Sequence, residues 1–143
     1  MQFSAWSHRA GIMYAPLNQE VVNDTAKLIM HRLIARSLAR DPTLVDRARA
    51  SLAQVSVHFP DRVFVADWVE LLRLPTRKLR ALLISRDQDM RRLRLSSPFV
   101  TAEGVDFGNP ILRRRIRRAA KRIAARAARR GDGHGQGIRS LAV

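Results

Sequence analysis

Apolar residues recur at spacings of three and four along much of the chain, which is the pattern of amphipathic α-helices. The first such stretch covers residues 18–40 and has apolar side chains on nearly all sides. Its inward face is predicted to hold Val22, Ala26, Ile29, Met30 and Leu33. A helix that is apolar almost all round is typical of the central element of a small domain or of a dimer seam. Both a central helix and a homodimer contact are therefore compatible with this stretch.

The first clear break in the helical pattern is Asp41-Pro42. Aspartate favours a helix N-terminus and proline fits the first helical position, so a second helix is predicted from here to about Gln54. The residues that follow alternate briefly between apolar and polar until Pro60 ends the pattern. Residues 55–60 are therefore predicted to form a connector.

Three shorter helices are predicted in the second half of the body. Their ranges are 62–73, 77–84 and 85–95. Asp61 is predicted to cap the first of them, and Ser85 with Gln88 three residues later is predicted to form a capping box at the third. Trp68 is predicted to lie in the core, because leucines continue its face of the helix.

The strongest helix-start signal in the sequence is Asn109-Pro110, and the helix that it opens is predicted to reach Arg130. Gly131 is a natural stop for this helix. The glycine-rich residues 131–143 are predicted to be disordered.

These elements together predict an all-α protein, since the sequence contains no long strand pattern. A compact bundle of five or six helices is expected over residues 18–109, followed by a basic amphipathic helix over 110–130. Residues 1–17 are predicted to be a flexible lead, within which Met13 is an alternative start.

Positive charge is concentrated in the predicted C-terminal helix. The chain has 27 Lys and Arg against 12 Asp and Glu, a net charge of +15 at pH 7. Ten of these cations and none of the acids lie in residues 110–130. A GC-rich genome would spread arginines along the chain, so their concentration in one helix points to a function. A basic patch of this kind indicates a polyanionic partner.

A helical wheel divides the last helix into an apolar stripe and a basic surface. The stripe is predicted to dock on the body and contains Leu112, Ile116, Ala119, Ala120, Ile123 and Ala127. The basic surface is predicted to bind nucleic acid through Arg113, Arg114, Arg117, Arg118, Lys121, Arg122 and Arg126. Arginine suits this role because its planar fork binds phosphate through two hydrogen bonds.

Nucleic acid is the predicted partner of the basic surface, with DNA favoured over RNA. The alternative is an acidic protein partner such as a toxin, and a basic face can also be merely solvated. A membrane partner is not expected, because the alanine-rich stripe would insert only shallowly. The sequence also lacks an apolar run of about 18 residues and the apolar core of a signal peptide, so a cytoplasmic protein is expected.

Catalytic and metal-binding motifs are missing from the sequence. It has no cysteine, which excludes disulfides, thiolate zinc sites and cysteine nucleophiles. Its four histidines do not have the spacing of metal ligands. It contains no glycine-rich phosphate loop, nucleophile elbow or H-E-x-x-H motif. We therefore expect a protein that is not an enzyme and has no cofactor or metal.

A helix-turn-helix is an alternative interpretation of residues 61–85. The residues that would line the front of its recognition helix are Thr76, Arg77, Lys78 and Arg80. The turn lacks the glycine often found in this motif and contains Pro75 instead. Two packed helices of a bundle are therefore the preferred interpretation.

Residues 65–99 carry a pattern of tryptophan, leucine and a serine-proline-phenylalanine sequence. The segments are Trp68-Val69-Glu70-Leu71-Leu72, Leu79-Arg80-Ala81-Leu82-Leu83 and Leu93-Arg94-Leu95-Ser96-Ser97-Pro98-Phe99. This W-x-x-L-L … L-R-x-x-S-P-F pattern resembles small helical bacterial proteins of the antitoxin type. The resemblance implies DNA binding at the protein's own operator, together with a segment that neutralises a toxin. The long basic C-terminal helix departs from the pattern, and either task could fall to it.

Overall fold

The computed structural model describes the backbone of residues 18–141 and the side chains of residues 18–131. This range contains six α-helices and no strand. They are α1 (Gln19–Arg40), α2 (Leu44–His58), α3 (Val63–Leu72), α4 (Thr76–Leu83), α5 (Gln88–Arg94) and α6 (Pro110–Leu141). The prediction of an all-α protein is confirmed. The predicted lead, residues 1–17, lies outside the described residues.

Helix α1 is the central element of the bundle. It contacts α2, α4, α5 and α6, whereas α3 packs chiefly on α2. Asn18 caps its start by accepting a hydrogen bond from the Glu20 backbone N–H at 2.9 Å. Of the predicted inward face, Val22 is buried and the other four residues are half-buried. The deepest positions include Ile34 and Leu38, which the prediction missed. Because partners surround α1 on several sides, its burial is not confined to one stripe.

Helix α2 is longer than predicted, and the predicted connector at 55–60 is wrong. The helix continues to His58, and the Phe59 backbone N–H still donates to the Val55 carbonyl at 2.9 Å. Brief alternation alone does not break a helix, and no residue before Pro60 removes a backbone donor. The helix therefore ends where proline ends it.

Two of the predicted helix caps are also wrong. Arg62 rather than Asp61 precedes α3, and it makes no side-chain capping bond. Helix α5 starts at Gln88 and is capped by Asp87, which accepts from the Asp89 backbone N–H. Ser85 lies outside this helix and accepts from the Asp87 N–H at 3.1 Å. The two helices start two and three residues beyond the predicted caps. Asp87 satisfies a free backbone N–H at the start of α5, whereas no side chain does so at the start of α3.

The main core is built around Trp68, as predicted. Its side chain is 0% exposed. The indole Nε1 donates to the Leu93 carbonyl at 3.2 Å and to the Ser96 hydroxyl at 3.3 Å. The ring meets Phe99 edge to face with centroids 6.2 Å apart. This single residue therefore joins α3 to the end of α5 and to the turn that follows it.

Helix α6 starts at the predicted position but continues past the predicted stop. The Asn109 side chain accepts from the backbone N–H groups of Ile111 and Leu112, at 2.9 and 3.3 Å. The helix runs through Gly131 to Leu141, so the predicted end at Arg130 is wrong. The disorder predicted for residues 131–143 stays a prediction. Gly131 keeps helical geometry, which costs a helix only about 1 kcal/mol relative to alanine.

A histidine lies in the centre of the molecule. His31 is 0% exposed, and its Nδ1 donates to the Lys27 carbonyl at 2.6 Å. Its Nε2 has no hydrogen-bond partner in the described part of the chain. Burial, aided by the charges of Arg94 and Lys27, lowers the pKa of His31 from 6.5 to about 4, against the effect of the bond to Lys27. His31 is therefore neutral in the folded protein at pH 7.

We expect acid to destabilise the fold through His31. The unfolded chain takes up this proton near pH 6.5, and the folded chain does so only near pH 4. Between these values the unfolded state binds more protons, so stability falls as the pH falls, by about 3 kcal/mol in total. Urea unfolding from pH 7 to pH 4 measures this loss. The substitution His31→Leu should abolish this loss of stability at low pH, whereas substitution of the exposed His58 should leave it unchanged. An unchanged pH profile in the His31→Leu protein would contradict the assignment.

Candidate nucleic-acid interface

Helix α6 is held on the body by a narrow row of small and apolar side chains. Ile116, Ala120 and Ala124 are buried at steps of four residues along the helix. Ala120 and Ala124 pack with the buried Val22 of α1, and Ile116 joins the main core. Most of the circumference of α6 therefore remains free of the body.

The docking row differs in part from the predicted stripe. Leu112, Ile116, Ala119 and Ala120 are buried or half-buried, as predicted. Ile123 is 38% exposed and Ala127 is exposed, so both were placed wrongly in the stripe. The buried row follows one line of i, i+4 neighbours, which leads from Ala120 to Ala124 rather than to Ile123.

All seven cations predicted to bind nucleic acid are exposed. They are Arg113, Arg114, Arg117, Arg118, Lys121, Arg122 and Arg126, and together they are called the basic ridge below. No ion pair in the described range joins any of them to a carboxylate. The segment 110–131 contains no Asp or Glu that could neutralise them. The ridge therefore presents uncompensated positive charge to solvent.

The ridge has a length and an arrangement that suit a linear polyanion. The thirteen-residue step from Arg113 to Arg126 corresponds to about 20 Å of helix. Duplex DNA advances 3.4 Å per phosphate along each strand, so this length faces about six phosphates of one strand. Four ridge residues lie on the side of the helix away from the docking row, within an arc of about 100°. They are Arg114, Arg118, Lys121 and Arg122.

Other exposed arginines of α6 extend the ridge. Arg115 falls on the outward side of the same helix, and Arg129 and Arg130 follow the ridge toward its C-terminus. The prediction counted their charges but did not assign them to the site. The exposure of these three arginines places them on the basic surface, and the sequence alone does not give that exposure.

The helix-turn-helix interpretation of residues 61–85 is not supported by the packing. Helix α4 packs on α1 and α5, and α3 packs on α2, so the two helices are not a packed pair. The Arg80 side chain, which would face the bases, donates through Nε to the Ala35 carbonyl of α1 at 2.7 Å. Arg77 and Lys78 are exposed, but Arg80 is engaged in holding α4 to α1.

The residues that carry the resemblance to antitoxin-type proteins are packing residues. Trp68, Leu72, Leu79, Leu83 and Phe99 are all buried in one core. In the L-R-x-x-S-P-F segment, Leu93, Arg94, Ser97 and Pro98 are buried as well. The pattern therefore specifies how these helices pack and does not by itself place a functional surface.

Comparison with protein-family models, with curated proteins and with solved structures finds no match. Across residues 18–141, no helix is both long and apolar enough to cross a membrane. The described part of the chain also contains no group of three His, Cys, Asp or Glu side chains that could hold a metal ion.

Proposed function

We propose that this protein is a non-enzymatic nucleic-acid-binding protein whose basic ridge contacts the phosphates of duplex DNA. The observation that carries the proposal is the exposure of all seven ridge cations, none of which pairs with a carboxylate in the described part of the chain. Such cations gain affinity for DNA mainly by releasing the counterions condensed on it. A ridge of one sign along a single helix also orients the protein on the duplex.

The docking of α6 supports the same function. Because Ile116, Ala120 and Ala124 are buried against the body, the helix holds its cations on a rigid surface rather than on a loose tail. A surface that is already in place avoids part of the entropic cost of ordering at the moment of binding. Each ridge cation then contributes to DNA affinity from a fixed position on the protein.

We further propose that the protein acts as a regulator of the antitoxin type. This rests on the W-x-x-L-L … L-R-x-x-S-P-F pattern of residues 65–99 and on the wide basic surface available for an operator. In such a protein the ridge would supply the sequence-independent part of DNA affinity. An acidic protein bound at the ridge is the competing interpretation.

Lysine substitution distinguishes the two partners. In the triple variant Arg114→Lys, Arg118→Lys and Arg122→Lys, affinity for duplex DNA should change by no more than a few fold, because the phosphate contribution depends on charge. Binding to carboxylates through the arginine fork should instead weaken strongly, because lysine offers no fork. Fluorescence anisotropy with a labelled duplex at constant salt measures the affinity for DNA. A wild-type protein that fails to bind DNA, or a lysine variant that loses DNA binding entirely, would contradict the phosphate-contact proposal.

A further inference from the structure

A second group of arginines lines a cleft beside α6 that is separate from the basic ridge. The cleft has a volume of about 230 Å³ and lies where α1, α5 and the middle of α6 meet. Its cationic residues come from α1, from the connector before α5 and from α5 itself. They are Arg32, Arg86, Arg91 and Arg94, and they are called the arginine cleft below.

Arg94 is the unusual member of this group, because it is a buried cation that no carboxylate of the described residues pairs with. Arg94 is 3% exposed. Its Nη1 donates to the carbonyls of Leu83 and Ser85, at 3.1 and 2.6 Å, and so holds the end of α4 to α5. Its Nε has no hydrogen-bond partner in the described part of the chain. Buried charges in proteins are normally paired, so a buried guanidinium without a counter-ion among the described residues is unusual.

The other charges around the cleft do not supply that counter-ion. Among the residues that the structure describes, the cleft contains one acid, Asp24, whose carboxylate lies 3.8 Å from the Arg91 side chain. Four cations against one carboxylate leave the cleft with an excess of positive charge. Burial and the nearby Arg91 lower the pKa of Arg94; Asp24 opposes them, and Arg32 lowers it further. The surroundings of Arg94 therefore favour the arrival of an anion.

We propose that the arginine cleft binds a phosphate group. A phosphate dianion matches the excess of positive charge, and guanidinium forks bind phosphate oxygens through paired hydrogen bonds. The cleft admits a compact anion between Arg86, whose side chain is exposed, and the buried Arg94. The source of the phosphate is either a free phosphate-containing small molecule or the terminal phosphate of a nucleic-acid strand. This inference does not depend on DNA binding by the ridge.

Thermal unfolding with added inorganic phosphate tests the cleft, because an anion that binds only the folded protein raises its Tm. Sodium chloride at equal ionic strength is the reference. Phosphate should raise the Tm of the wild type above this reference. In the variant Arg32→Gln with Arg86→Gln, the apparent Kd for phosphate should weaken by about tenfold or more, because two charge-assisted contacts are lost. The single substitution Arg86→Gln, at an exposed residue, should weaken the apparent Kd for phosphate by less.

A charge-matched variant supplies the control. Arg36→Gln with Arg77→Gln also removes two arginines, both exposed and lying on α1 and α4, but neither residue lines the cleft. It should bind phosphate like the wild type. A variant with a neutralised ridge should also keep the effect of phosphate, which separates this inference from the proposed DNA binding. Equal responses to phosphate and chloride, or equal weakening in both double variants, would overturn the proposal.

Short oligonucleotides distinguish the two sources of phosphate. If a terminal phosphate is bound, a 5′-phosphorylated strand should bind more tightly than the same strand with a 5′-hydroxyl. That difference should vanish in the Arg32→Gln, Arg86→Gln variant. If a small molecule is bound, inorganic phosphate should stabilise the protein while the two strands bind equally. If inorganic phosphate does not stabilise the protein and the phosphorylated strand binds no more tightly than the hydroxyl strand, the proposed site is refuted.

Discussion

Replacement of four ridge cations on the outward side of α6 by glutamine is expected to weaken duplex DNA binding by about 10³-fold at 0.1 M salt. The substitutions are Arg114→Gln, Arg118→Gln, Lys121→Gln and Arg122→Gln. Each phosphate contact contributes a salt slope of about −0.9, which corresponds to nearly one decade of affinity between 1 M and 0.1 M salt. Glutamine keeps the helix propensity of these exposed positions, so the fold should be unaffected. Anisotropy with a labelled duplex measures the loss.

A control with the same loss of charge makes this result specific. Arg36, Arg40, Arg77 and Lys78 are exposed cations that lie outside α6. Their replacement by glutamine lowers the net charge by the same amount and should weaken DNA binding by less than about tenfold, through the general field alone. Equal losses in the two variants would show that net charge, rather than the ridge, determines binding. Circular dichroism should show the same helix content in both.

Replacement of Trp68 by alanine is expected to destabilise the fold by about 3–5 kcal/mol. The residue is fully buried, and its removal leaves a cavity next to Phe99. It also removes the indole N–H that donates to the Leu93 carbonyl. A domain of this size has a total stability of about 5–15 kcal/mol, so the variant retains only part of it. Urea unfolding followed by circular dichroism gives the change in the free energy of unfolding.

The exposed Val63 at the start of α3 provides the comparison for Trp68. It is 73% exposed, so Val63→Ala should change the stability by less than about 1 kcal/mol. A Trp68→Ala protein that unfolds at the same urea concentration as wild type would contradict the placement of this residue in the core. Loss of DNA binding by Trp68→Ala with unchanged stability would instead make it a contact residue.

The sequence predicts helices well where a single residue controls a boundary. Asn109 and Pro110 mark the start of α6, because the amide caps two backbone N–H groups and proline needs none. Boundaries decided by distant contacts are missed. Ser85 looks like a cap, but Arg94 holds the Ser85 carbonyl from nine residues away and the helix starts later. Local patterns do not contain such contacts.

The basic ridge is predictable because it is local, whereas the arginine cleft is not. The ridge occupies one helix, so spacing along the sequence shows which side chains share a face. The cleft combines Arg32, Arg86, Arg91 and Arg94 from separate elements, and only the packing of α1 against α5 and α6 brings them together. The exposure of Ile123 has a related cause, since the contact with α1 selects the row through Ala124.

The salt dependence of duplex DNA binding tests the central claim most directly. If five or six ridge cations contact phosphates, a plot of log K against log salt concentration should have a slope of about −5 for the wild type. The variant that lacks four of these cations should have a slope of about −1 to −2. The charge-matched control should keep the wild-type slope. No binding by the wild type at about 50 mM salt, or equal slopes in wild type and ridge variant, would contradict a phosphate-contacting ridge.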